Sequence, residues 1–189
     1  MTQNSLTYAL AVFLGSLASL SCASRPPVVS TYPLLEERVW VADGTVAANI
    51  PRGWSSAAND TLPPGVAAWL VSDDHSGMIA LRELILDRLT SQRVREEGIE
   101  LVARLSLAFR ADSVRASSTV RFSEYLLRDM NVCGYELTSG GEWRSIIVVG
   151  VKGRYYECEA SSSSRPGGRR TISEAQQAFL SSLTTSIRE

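Results

Sequence analysis

Glu142-Trp-Arg-Ser-Ile-Ile-Val-Val-Gly-Val151, Lys152-Gly153 and Arg154-Tyr-Tyr-Glu-Cys-Glu-Ala160 form one continuous stretch of two β-rich runs joined by two residues. The first run is dense in β-branched side chains, which suit a pleated, packed surface. Lys-Gly between such runs reads as a tight hairpin turn. The second run therefore returns antiparallel to the first. Parallel neighbours need crossovers of a dozen residues or more, and no such segment stands here.

The same reading extends upstream. Ser139-Gly-Gly141 turns the chain back onto Val132-Cys-Gly-Tyr-Glu-Leu137, and Val120 to Leu126 alternates before it. Nearer the N-terminus, Val39-Trp-Val41 and Val46-Ala-Ala-Asn-Ile50 flank Asp43-Gly44, a strong turn signal. Pro51-Arg-Gly-Trp54 ends that strand, and Ser55 to Gly65 reads as loop. Val66 to Val71 and Met78 to Asp87 are strand-like around the turn Ser72-Asp-Asp-His-Ser-Gly77. After Thr90 the period changes. Val94, Ile99, Val102, Leu105 and Phe109 mark one face of a helix from Gln92 to Ala111. Inside such a helix Gly98 costs about 1 kcal/mol relative to Ala. Ser161 to Arg170 reads as exposed loop. A last helix follows, capped by Thr171 or Ser173, with Thr171 and Glu174 fitting a capping box. Its inner side carries Ile172, Gln176, Phe179, Leu183 and Ile187. The expected fold class is α+β: an α/β/α sandwich with a curved antiparallel sheet of about six to seven strands and two main helices.

The N-terminus reads differently. No charged side chain occurs from Met1 to Ser21. The apolar run Tyr8 to Leu14 leads through small residues to Cys22, the order of a cleaved export signal. The apolar core is shorter than the roughly 20 residues that span a bilayer. Ala18-Ser-Leu-Ser-Cys22 resembles the lipobox of bacterial lipoproteins, with Leu20 one place nearer the cysteine than usual. The expected division is residues 1–21 signal peptide, 22–36 tether and 37–189 folded domain. Cys22 is then the lipidation site and membrane anchor, since several acyl chains together hold a protein stably. An ordinary cut after Ala23 is the alternative. Ala23 is not the aspartate that retains Gram-negative lipoproteins at the inner membrane. The implied location is therefore the outer membrane, facing the periplasm.

With 19 basic and 20 acidic side chains, the chain carries no basic excess that would suit nucleic acid. Cys133 and Cys158 are the one possible internal disulfide, in a compartment that permits it. They lie on strands flanking a third, hence about 9–10 Å apart, beyond the about 7 Å that a bridge tolerates. Two buried thiols are the alternative reading.

Several ordered features resemble the domain shared by the PsbP subunit of photosystem II, Mog-type Ran-binding proteins and bacterial DcrB-like lipoproteins. Ile50-Pro-Arg-Gly-Trp54 resembles their strand-ending I/Y-P-x-G-W. Gly134-Tyr135, the strand to Val151 and Lys152-Gly-Arg-Tyr-Tyr156 resemble their paired strands. Phe179, Leu183 and Ser186-Ile-Arg188 resemble their C-terminal helix. The resemblance spans Val39 to Arg188. It implies a non-enzymatic binding or assembly role, with an envelope or periplasmic protein as partner and no cofactor.

For chemistry, His75 is the single histidine, beside Asp73 and Asp74. A hydrolase or metal site would have to use it. There is no phosphate loop and no Gly-x-Ser-x-Gly elbow. Arg165, Arg169 and Arg170 form a small basic cluster, and Trp40, Trp54, Trp69 and Trp143 are spread along the chain. A cleft between sheet and helix that takes a small molecule is the remaining alternative.

Overall fold

The computed structural model describes residues 28–41, 44–58, 62–110, 120–139, 141–162 and 168–185. The Lys152-Gly153 turn forms as read, with φ of 46° and 78°. These positive values match the twist that a two-residue hairpin imposes on its strands. It joins β8 (Glu142–Val151) to β9 (Arg154–Ser162), paired from Val151↔Arg154 to Trp143↔Ser162. Around this hairpin the chain adds β3 (Trp54–Ser56), β4 (Val66–Ser72), β5 (Gly77–Leu84), β6 (Ser123–Leu127) and β7 (Met130–Ser139). The result is a seven-stranded sheet in the order β3-β4-β5-β9-β8-β7-β6, every neighbouring pair antiparallel. A second sheet, β1-β2-β10, combines Leu34–Val41, Val46–Pro51 and Thr184–Thr185. The α+β class expected from sequence is the class observed.

The details differ in instructive places. The single central helix is two: α1 (Arg88–Glu97) and α2 (Ile99–Arg110). Gly98 between them has φ 89° and ψ 179°, a conformation open to glycine and costly for other residues. Asp87 caps α1 by accepting from Thr90 N at 2.9 Å. Phe109, read as an inward residue, is 87% exposed, whereas Ala103 and Ser106 are buried. The last helix, α3 (Arg169–Ser181), starts earlier than its capping-box signal. Gly168 stands at its N-cap with no side-chain cap bond, so Thr171 lies inside the helix. Trp54 begins a strand, and Leu34 to Glu36, expected in the tether, open β1.

Two cores flank the large sheet. On one face α3 and the small sheet enclose Tyr156, Phe179, Ile50, Leu70 and their neighbours. Gln176, completely buried, donates from Nε2 to the carbonyls of Ser145 at 3.0 Å and Cys158 at 2.9 Å. This ties α3 to β8 and β9. On the other face α1 and α2 cover Cys133, Tyr135, Ile146 and Val148. The three layers are therefore a helix pair, the seven-stranded sheet, and a helix with a small sheet.

The segment before β1 is fixed to the body. Val28 bridges Leu127 in parallel, its N–H donating to the Leu126 carbonyl at 2.7 Å. Ser30 Oγ donates to the Glu174 carbonyl at 3.0 Å, and Tyr32 Oη to the Arg52 carbonyl at 3.1 Å. Among the described residues, no helix is long and apolar enough to cross a membrane.

Candidate functional site

Strand alternation decides which side chains of β9 meet which layer. Tyr156, Cys158 and Ala160 point to the α3 core, so Glu157 and Glu159 point to the α1–α2 side. Both carboxylates are buried, which demands partners. α2 supplies them from consecutive turns of its inner face. Ser106 Oγ donates to Glu157 Oε2, and Arg110 forks between Glu157 Oε1 and Glu159 Oε2, the latter at 2.9 Å. Ser106 and Tyr135 hydroxyls are 2.7 Å apart. Burial alone would lower the Arg110 pKa, but the two carboxylates outweigh it and hold the guanidinium above its usual range. The Tyr135 hydroxyl is pushed up by burial, with the Ser106 hydrogen bond pulling the other way.

The network opens to solvent along one side. Arg144 reaches in from β8, its guanidinium 3.4 Å from Glu159 and 2.9 Å from Glu142. Around these groups lies an open groove of about 740 Å³, with Arg82, Met78 and the exposed Phe109 on its walls. The groove thus sets an exposed aromatic and two arginines, Arg82 and Arg144, around an internally paired charged floor. Sequence reading missed this site. Its one sequence signal is Glu157 and Glu159 two residues apart on a strand, which places both on one face.

A second groove, about 550 Å³, lies between β6–β7 and α3. Val28, Arg121, Tyr125, Glu136, Ser173 and Gln177 contribute to its lining. Burial raises the Tyr125 phenol well above the ordinary tyrosine range.

The residues singled out from sequence are placed as follows. Cys22 and Arg165 lie outside the described residues. Cys133 and Cys158 are free and buried, so the possible bridge is not formed. Cys133 pairs with Val148 and Cys158 with Ile147, adjacent rows of the sheet, so the two thiols point to opposite faces. Burial lifts the Cys133 pKa to about 11, and lifts Cys158 further against a Gln176 hydrogen bond. His75 is exposed at φ 55° on the β4–β5 turn. Asp74 there accepts from Ser72 Oγ and from Ser76 N and Oγ, which lowers its pKa to about 2. Asp73 accepts from Ser55 Oγ at 3.2 Å. These bonds shape a turn, and they do not join the carboxylates to the imidazole. Among the described residues, no three His, Cys, Asp or Glu side chains converge as metal ligands would. Arg169 and Arg170 form the first turn of α3, where loop was expected. Trp54 and Trp143 are buried, Trp69 is half-buried, and Trp40 is 45% exposed.

No protein-family model matches the sequence, and no curated protein matches it. Solved structures do. Cyanobacterial PsbP from Synechocystis sp. PCC 6803 aligns with a TM-score of 0.56 at 11% identity, over 79% of this chain and 92% of that one. A protein from Bacteroides thetaiotaomicron aligns with a TM-score of 0.52 at 12% identity, over 82% of this chain. The matched part is 50% of that longer chain. The Saccharomyces cerevisiae Ran-binding protein Mog1p aligns with a TM-score of 0.48 at 7% identity, over 81% and 96%. The first two matches show likeness of architecture: this chain has the fold of cyanobacterial PsbP.

Proposed function

We propose that this chain is a non-enzymatic binding or assembly module of a bacterial cell envelope, anchored by acyl chains on Cys22 to the outer membrane and facing the periplasm. Its partner is an envelope or periplasmic protein that docks on the charged groove beneath α2. The observation that carries the docking is the buried Arg110–Glu157–Glu159 network, open beside the exposed Phe109. Burying charges is costly, and a pre-paired network leaves a partner little ordering to do on arrival. The anchoring half of the proposal is supported by the lipobox-like sequence before Cys22.

The test compares cross-linked complexes recovered from intact envelopes with the native chain and with the Phe109→Asp/Arg144→Glu variant. One specific band lost in the variant, with Trp40→Asp behaving as native, is the expected result. Identical bands from all three chains overturn the docking assignment. Cys22→Ser is expected to release the protein from the membrane fraction.

A second reading has its own observation, the groove between β6–β7 and α3 with Tyr125 and Ile147 in its lining. That is the cleft between sheet and helix in which a small molecule would sit. A small molecule that raises the thermal unfolding midpoint of the native chain but not of Gly134→Leu would favour it.

A further inference from the structure

The position of Val28 bears on how the domain sits on its membrane, given the anchoring proposed above. Cys22 and Val28 are six residues apart, and a chain spans at most about 3.3–3.6 Å per residue. The acylated end therefore lies within about 20 Å of Val28, whatever path residues 23–27 take. Val28 is not free to swing: its N–H is bonded to Leu126 and its carbonyl accepts from Arg128 N at 3.4 Å. Ser30 and Tyr32 pin the next residues to α3 and to the β2–β3 turn. The anchor point on the body is thus the outer side of β6, one edge of the seven-stranded sheet.

The opposite edge, β3, lies six strand spacings away. At about 4.8 Å each, that is about 29 Å, more than the tether can reach. The sheet consequently cannot stand on its β3 edge while Cys22 is in the bilayer. We infer that the domain stands on its β6 edge against the phospholipid surface, with exposed Val29, Arg121 and the β6–β7 turn at Arg128 toward the headgroups. Val29 is 67% exposed, which places an apolar side chain on this side. Arg121 is exposed there too, as are Glu124 and Asp129, while the exposed Arg128 donates from Nη1 to the Ser181 carbonyl at 2.8 Å. β8, β9 and β5, which line the Arg110–Glu157–Glu159 groove, lie two, three and four strand spacings from β6, so the groove opens about 10–19 Å above that edge.

The test uses the full lipidated chain in phospholipid vesicles containing a nickel-chelating lipid. Arg121→Cys and Ser55→Cys, on the β6 and β3 sides, each carry a nitroxide. The buried Cys133 and Cys158 do not compete for the label. The expected result is relaxation by nickel several-fold stronger at 121 than at 55. A flexible 20-residue insertion between Pro27 and Val28 is expected to shrink that contrast, because its reach grows with the square root of length. Mass spectrometry of the N-terminal peptide separates the two readings. An acylated Cys22 with equal relaxation at both labels overturns the orientation alone, and a contrast that survives the insertion unchanged overturns the tether as its cause. An unacylated Cys22 overturns the anchor and the orientation together.

Discussion

Arg110 carries more of the site than any other residue. It compensates two carboxylates whose side chains are each only 6% exposed, and its own is 14% exposed. Arg110→Met leaves those charges without their main partner, a loss of about 3–5 kcal/mol. Urea denaturation is expected to show that loss. Adding Glu157→Gln and Glu159→Gln is expected to recover a large part, because removing a whole buried ionic cluster is far milder than breaking it. The thiols give a pH signature. Burial raises the Cys133 pKa to about 11, against about 9 for an unburied thiol. Above about 9 the unfolded state releases a proton that the folded state keeps. Cys133 therefore contributes stability in full below that value, and the contribution fades as pH climbs to about 11. Urea midpoints measured across this window are expected to fall less steeply for Cys133→Ala than for the native chain.

Among the elements, the α1–α2 junction reverses a conclusion drawn from sequence. Inside one continuous helix, Gly98→Ala would stabilise by about 1 kcal/mol. At φ 89° and ψ 179° alanine is strained, so the same substitution is expected to destabilise by about 1–3 kcal/mol in urea or thermal unfolding. The break was hidden because Ile99, Val102, Leu105 and Phe109 run on at spacings of three and four beyond it; across it Val94 and Ile99 stand five apart, with Gly98 between them. The β8–β9 hairpin was legible because its β-branched run and its Lys-Gly turn agree with the final sheet. β3 and β10 were not, since strands of three and two residues hold too little pattern and are made by their neighbours. The capping box at Thr171 misled because the helix already runs from Arg169, and Glu174 pairs with Arg170 at 2.8 Å instead of reaching back to cap Thr171.

At the scale of the molecule, the charged site could not be read along the chain. Glu157 and Glu159 announce a shared face, but Arg110 lies 47 and 49 residues before them. Only the order β5-β9-β8 beneath α2 brings them together. The same central strands line both cores, with Cys158 and Ile147 facing one and Ile146 and Val148 the other. Unfolding is therefore expected to be a single cooperative transition. Tryptophan fluorescence, which includes buried Trp54 and Trp143, and far-ultraviolet circular dichroism should give coincident urea curves.

That shared sheet is also a partition. Side chains on its two sides do not meet, so substitutions in one core should combine additively with those in the other. Exposed positions around the α2 groove can then be exchanged without touching the α3 core, as long as the Arg110–Glu157–Glu159 cluster stays whole.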